Sequence, residues 1–520
     1  MIRSMFKPIT FRPEVEELVR FVEDTDPANM IEATVDKLRG GLDPTVLLTA
    51  NALAIARSTE VPGQHHGGPI HPVCGIHAVH GISQRLQGEL AMLPLIQHTV
   101  LCNHHVHSPY MGPYRMSELE PMQGSRKVAS GIRAHNVMFE MESLGNNESE
   151  AIEATKDVFN KAVVAMEGPI AERFYLWLIG RVSHGELLDL LLPLGLSRNN
   201  WDDHYYLYPT FTARALDCIG WEWADIMLRP AVRYQARLMP ALYIGDPLDF
   251  DWVEGLLDEY KLLEIDIPTA SSAAETEQIG ELGMALAQQA NYFDTIEPIA
   301  KALADGLSLE GAGEAISIGA AASYLSTSYG NPMDAHLHTG ISNRRYVLRQ
   351  QGVSLKNKLL GLLTEFTGPE VLLGARKFDW GCNIEPGSTA SLPDRSQDQL
   401  LDAIVESIDG QPLIKWAELV SPANAVPPEG VKETVALARQ YAEKGFEPEP
   451  YFNRLAEIAC RDDYTEMHSL KHFQAIVDEY YTTREPYRWV HLASATKSAA
   501  IIQLGREHSV YRQAKELIAA

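Results

Sequence analysis

Gly75 to Arg85 reads GIHAVHGISQR, and Ala335 to Arg344 reads AHLHTGISNR. Counted from His77 and His336, both give H-x3-G-I-S-[Q/N]-R. Gly81 and Gly340, Ser83 and Ser342, and Arg85 and Arg344 therefore fall at equal offsets. The copies lie 259 residues apart, half of the 520-residue chain. His204 in WDDHYYLYP and His468 in TEMHSLKHF continue the series, with successive spacings of 127, 132 and 132 residues. Self-similarity at a fixed period marks a repeat architecture, here read as four units of ~130 residues. The expected organisation is two related halves, 1–245 and 246–520, packed around a central pocket.

Working outward from the repeat, the periodicity is helical almost throughout. Asp26-Pro27 and Asp43-Pro44 each read as an N-cap followed by proline at the first helical position. Ser183 with Glu186 fits a capping box before the apolar run Leu187 to Leu192. Each repeat histidine follows an apolar helix that starts just after a glycine, namely Gly41, Gly185, Gly306 or Gly445. Strand-like alternation bounded by turn pairs is scarce. The expected fold is all-α, built of tandem helical repeats. Ile244 to Pro247, Glu385 to Asp398 and Ser421 to Gly430 read as connectors.

Composition removes several function classes. Lys plus Arg is 44 and Asp plus Glu is 69, a formal charge of −25. Binding a polyphosphate or an anionic membrane needs cations in excess along a face, so nucleic-acid and membrane partners are not expected. The N-terminal residues lack the apolar core and cleavage site of a signal peptide, and no apolar run reaches membrane-spanning length. Five scattered cysteines without a CxxC pair argue against a disulfide framework or a thiolate zinc site. A cytoplasmic home follows as the simplest expectation. Rossmann, P-loop, zincin and serine-hydrolase signatures are all missing from the sequence.

The histidines carry the chemistry. Ten of the 18 lie between His65 and His135. On a helix, His77, Gly81 and Arg85 share one face, with His80 beside His77. The same face recurs with His336, Gly340 and Arg344, and His338 sits near it. If the repeats converge, His77, His204, His336 and His468 meet, with His80 and His338 as further ligands. Imidazole suits iron, copper, nickel or zinc. The expected cofactor is a divalent transition metal, iron first, with copper, manganese or zinc as alternatives.

Asp202, Asp334 and Glu466 each lie two residues before a repeat histidine. Asp334 reads equally as an N-cap or as a group orienting an imidazole. His65, His66 and His71 in QHHGGPIHP read as a loop wall or as extra ligands. His104, His105 and His107 read as solvated loop residues or as a second metal site. A lone histidine in a helical interior is more often a satisfied core residue, and only the spacing lifts these above that reading.

Arg85 and Arg344 are expected to hold a substrate anion, and Tyr205 to line its pocket. Arg345 and Arg349 add cations near His336; an ion pair on an acidic surface is the bland reading, above all for Arg349. Lys471, one turn from His468, and Tyr208 are the expected proton-transfer residues. GIHAVHGIS, HYYLYPTFTARALDCIGWEWADIMLRP and HSLKHFQAIVDEYY resemble stretches of uncharacterised all-helical bacterial proteins with histidines at similar places. That resemblance supports His77, His204 and His468 and carries no activity. The expectation is a metal-dependent oxidoreductase that activates O2 beside a small anionic or phenolic substrate. A hydrolase or lyase on the same cluster, a non-enzymatic α-solenoid scaffold and a non-covalent haem protein are the alternatives. Homo-oligomerisation stays open.

Overall fold

The structure is a computed structural model that describes residues 7–61, 67–124, 147–198, 203–237, 248–327, 332–368, 371, 389–410, 429–462, 466–501 and 509–520. Among these residues the chain is helical and has no strand; an isolated antiparallel bridge joins Pro8 and Ser117. The connector Ile244 to Pro247 lies outside the described residues, as do most of Ser421 to Gly430 and the start of Glu385 to Asp398.

Helix starts follow local chemistry. The Asp43 carboxylate accepts from the backbone N–H groups of Thr45 and Val46, and Pro44 opens helix α1 (Pro44–Ser58). Asp26 caps a single 3-10 turn, Pro27–Asn29, by accepting from Ala28 N–H. Ser183 and Glu186 form a reciprocal capping box on the short helix His184–Asp189. That helix stops where Pro193 has no N–H to offer the Asp189 carbonyl. Gly41, Gly306 and Gly445 have φ of 90°, 101° and 64°, the left-handed turn that ends one helix and lets the next begin.

The chain divides into two compact units with interleaved sequence. One comprises segments 1–77, 98–242 and 349–357; the other comprises 78–97, 243–348 and 358–520. Segment 98–242 of the first meets segment 243–348 of the second at 242/243. Two short segments belong with the opposite half.

In the first unit α1 is the inner helix. It is buried from Leu47 to Ser58, with only Thr49 part-exposed. A helix apolar all round belongs in a core, and α1 packs on Pro13–Asp24, His204–Ile219 and Ala224–Gln235. Its polar residues are paired. Arg57 bridges Glu16 at 2.6 Å and Glu23 at 2.7 Å, and Asn51 donates to Thr99 Oγ1 at 2.9 Å. Helices α2 (Ile70–Arg85) and α3 (Met92–His107) each give part of their length to both units. Helix α4 (His204–Ile219) is almost wholly buried.

The second unit repeats the inner-helix plan with α5 (Leu309–Leu325), buried except for Glu310. It packs on Thr276–Gln288 and on α8 (Trp489–Ile501). Small residues set the closeness: a Cβ on Gly319 would lie 2.9 Å from the Gly283 carbonyl oxygen. Helices α6 (His336–Arg349) and α7 (His468–Thr482) carry the third and fourth repeat histidines, and α7 packs against α8.

The repeated glycines admit polar side chains. A Cβ on Gly81 would lie 2.5 Å from Gln474 Oε1, and one on Gly340 would lie 2.6 Å from Glu365 Oε1. The two neighbours differ in freedom. Glu365 is fully buried and sits 2.7 Å from Arg344, whereas Gln474 ends a flexible amide arm. Gly340→Ala is therefore expected to cost about 1–3 kcal/mol, an overpacking penalty, and Gly81→Ala less. Guanidinium unfolding of both variants measures this; a Gly81→Ala cost equal to or above that of Gly340→Ala contradicts it.

Candidate metal centre

The first unit brings two imidazoles together, nitrogen to nitrogen. QHHGGPIHP has a loop composition, yet α2 already begins at Ile70. Gly68, at φ 71°, makes the preceding turn, where a Cβ would lie 2.4 Å from the Glu60 carbonyl oxygen. Pro72 is tolerated because a first-turn residue needs no N–H. His71 is thus the second residue of α2, and His204 is the first of α4. Their Nε2 atoms lie 3.0 Å apart, both side chains buried. Two nitrogens sharing one ion at ~2.0–2.1 Å in tetrahedral geometry stand roughly 3.3 Å apart. The pair is close to that spacing.

Helix α4 is held by an adaptation to its own proline. Pro209 cannot donate to the Tyr205 carbonyl, and the Gln235 side-chain amide donates to it instead. The Tyr205 hydroxyl donates to the Arg237 carbonyl at 2.9 Å. Tyr208 lies one turn after His204. Its ring packs edge-on against Tyr234, and its buried hydroxyl has no partner among the described residues. Burial raises the phenol well above its ordinary value, so it stays protonated.

His77 has a different neighbour. Arg214 Nη2 donates to His77 Nε2 at 2.6 Å. A guanidinium has no acceptor, so this nitrogen's lone pair is engaged and the ring proton sits on Nδ1. His77 follows His71 by six residues, about 240° round the helix, and faces another way. His80 is half-buried with Nε2 3.0 Å from the Gln84 amide nitrogen, and burial lowers its pKa.

The second unit pairs the other two repeat histidines. His336 opens α6 and His468 opens α7, with ring centroids 5.4 Å apart. The chain is strained just before His468: Glu466 and Met467 have φ of 51° and 72°. Each left-handed non-glycine residue costs roughly 1–2 kcal/mol, and such strain persists where the surroundings fix the conformation. Lys471, one turn on, is buried.

Behind this pair lies a second layer. His338 Nδ1 is 3.0 Å from His472 Nε2, and His472 Nδ1 is 3.2 Å from Ser498 Oγ. Tyr324 meets both rings edge-on. Burial holds both imidazoles well below their ordinary pKa, in the neutral form. Asp334 accepts from Thr327 Oγ1 at 2.9 Å. Burial raises its carboxyl, and nearby Lys497 opposes that rise. Lys497 is fully buried, donating to the Tyr324 carbonyl and to Thr327 Oγ1 at 3.0 Å.

The arginines read as substrate anchors have protein partners. Arg344 donates to the Gly361 and Thr364 carbonyls and pairs with Glu365. Arg85 pairs with Glu449 at 2.6 Å. Arg345 meets Glu479 at 2.6 Å. Of the α3 histidines, His105 Nδ1 donates to the Gly68 carbonyl and His107 Nδ1 to the Asn103 carbonyl, while His104 is exposed. His65, His66, His135 and Asp202 lie outside the described residues.

No family model, curated protein or solved structure matches the chain. Among the described residues, no helix is long and apolar enough to cross a membrane.

His98 gives the first unit a pH response. Its Nε2 donates to the Pro72 carbonyl at 2.9 Å, and Asn51 lies 3.1 Å from its Nδ1. Burial pushes its pKa down to about 4 from 6.5, against the pull of that backbone bond. The unfolded chain then binds more protons below 6.5, so this contribution to stability is intact above 6.5 and lost as pH falls towards 4. The loss is about 1.4 kcal/mol for each pH unit in that window. A His98→Gln protein is expected to show a correspondingly shallower fall in stability between pH 6.5 and 4.5. Equal slopes in the two proteins would remove His98 from the explanation.

Proposed function

We propose that this chain is a metal-dependent oxidoreductase acting on a small anionic or phenolic organic substrate. The observation that carries the reading is the His71–His204 pair, two buried Nε2 atoms 3.0 Å apart on separate helices. The donors are imidazoles, a set that suits iron or copper. A bound ion of that kind would supply one-electron chemistry and a site for O2. The chain's own part is to hold and orient. Tyr208, protonated and one turn from His204, offers a hydrogen-bond donor in a dry environment. The His336–His468 pair is the corresponding place in the second unit, with the buried Lys471 one turn from His468. Arg214 fixes His77, whereas Arg85 and Arg344 are engaged with Glu449 and Glu365 and serve the packing.

Metal analysis with a visible spectrum tests this on the purified full-length protein. Stoichiometric iron or copper, with absorption that changes on reduction, is the expected result. Colourless zinc would turn the reading to the hydrolytic or lyase alternative, and metal-free protein with no uptake of added metal would overturn it.

A further inference from the structure

His491 is a residue the repeat spacing does not reach. It lies in α8, and its ring centroid is 6.0 Å from that of His338. Both side chains are fully buried. His338 Nε2 and His491 Nδ1 have no partner among the described residues. The opposite nitrogen of each ring is anchored. His338 Nδ1 faces His472 Nε2, which passes the contact on to Ser498. His491 Nε2 lies 3.1 Å from Thr483 Oγ1 and 3.5 Å from Ser317 Oγ.

A tautomer set that satisfies every anchored nitrogen is available to these rings. His472 Nδ1–H donates to Ser498, His338 Nδ1–H donates to His472, and His491 Nε2–H donates to Thr483. It leaves two bare lone pairs, on His338 Nε2 and on His491 Nδ1. Leaving a buried polar atom unpaired costs roughly 1–3 kcal/mol, and here two such atoms belong to neighbouring rings. A ring fixed through one nitrogen and open at the other is the arrangement of a metal-bound histidine.

We propose that His338 Nε2 and His491 Nδ1 bind a low-coordinate metal ion, copper(I), at a site separate from the His71–His204 and His336–His468 pairs. The ring separation agrees. Two imidazoles on one ion at ~2.0 Å per bond have centroids about 5 Å apart in tetrahedral and about 6.3 Å in linear geometry. The observed 6.0 Å lies towards the linear end. The buried Lys497 ammonium lies over the Tyr324 ring, which packs edge-on against His338, and so disfavours a doubly charged ion nearby. A monovalent ion content with two nitrogen donors meets these conditions.

The test is an anaerobic titration of the metal-free, full-length protein with copper(I) against a chromogenic copper(I) chelator. Wild-type protein is expected to withdraw one equivalent that His338→Ala and His491→Ala each hold at least about 100-fold more weakly. His71→Ala should keep that equivalent, which separates this site from the proposed oxidative centre. Thr483→Val removes only the anchor on His491 and guards against misfolding of the alanine variants; its expected loss is about 10–100-fold. The copper K-edge spectrum of the wild-type complex should show two-nitrogen, low-coordinate copper(I). The proposal is overturned if wild-type protein takes up no such equivalent. It is equally overturned if the ligand variants retain it, or if the edge shows four-coordinate copper.

Discussion

His204→Ala protein is expected to lose metal affinity by more than about 100-fold while keeping its helical fold. The size follows from position. Changing a residue that merely orients a ligand already costs about 10–100-fold, and His204 presents its own nitrogen 3.0 Å from that of His71. A factor of 100 corresponds to about 2.7 kcal/mol of binding free energy. The fold should tolerate the change because alanine keeps the backbone groups of this first residue of α4 and favours the helix. His77→Ala is the informative partner. His77 is bonded to Arg214, so its removal should leave metal content at the first-unit pair unchanged. Metal content by mass spectrometry, with circular dichroism as the control, decides the matter. Full metal occupancy in His204→Ala would remove this histidine from any ligand set.

Lys497→Met is expected to be among the most destabilising single changes in the second unit, costing about 3–5 kcal/mol. The ammonium is fully buried and donates to the last-turn carbonyl of Tyr324, to the Thr327 carbonyl at 3.2 Å and to Thr327 Oγ1 at 3.0 Å. It also lies over the Tyr324 ring, 4.3 Å from the centroid. Methionine fills the volume of the stem but leaves those acceptors unsatisfied at the C-terminal end of α5, where the helix dipole favours a cation. It also leaves the buried Asp334 carboxylate without its counter-charge. The double variant Lys497→Met/Asp334→Asn should recover part of the loss, since removing both partners is cheaper than removing one. Guanidinium unfolding reports the cost, and a loss below about 1 kcal/mol would show that Lys497 is incidental.

Much of the helical framework was legible in short signals. Asp43-Pro44 and the Ser183–Glu186 box state where helices begin, because capping depends only on residues within one turn. His204, His336 and His468 all open helices. At the repeat glycines Gly81 and Gly340 a side chain from elsewhere in the chain comes close, Gln474 or Glu365. Long-range pairing was not legible. His71 was read as a loop wall or an extra ligand, because the turn residues of GGPIHP mask a helix that starts at Ile70. Arg85 and Arg344 looked like anion anchors because their acids, Glu449 and Glu365, are remote in sequence from Arg85 or lie beyond a helix end from Arg344. His491 and Lys497 carried a signal that spacing analysis passes over. In VHLASATKSAA they are the titratable residues in an otherwise apolar and small run, the composition of a core helix in which an ionisable group needs a partner.

The interleaving of the two units has a consequence for how the molecule is made. Segment 78–97 leaves the ribosome early but belongs to a unit completed only by residues 358–520, while the first unit needs residues 349–357. The first unit receives its last segment only when two thirds of the chain has been synthesised, and the second unit receives its last segment later still. At roughly 5–20 residues per second that is a wait of about 20–70 seconds, during which apolar faces of the nascent chain have no permanent cover. Expression of 1–245 or 246–520 alone would prolong that wait indefinitely.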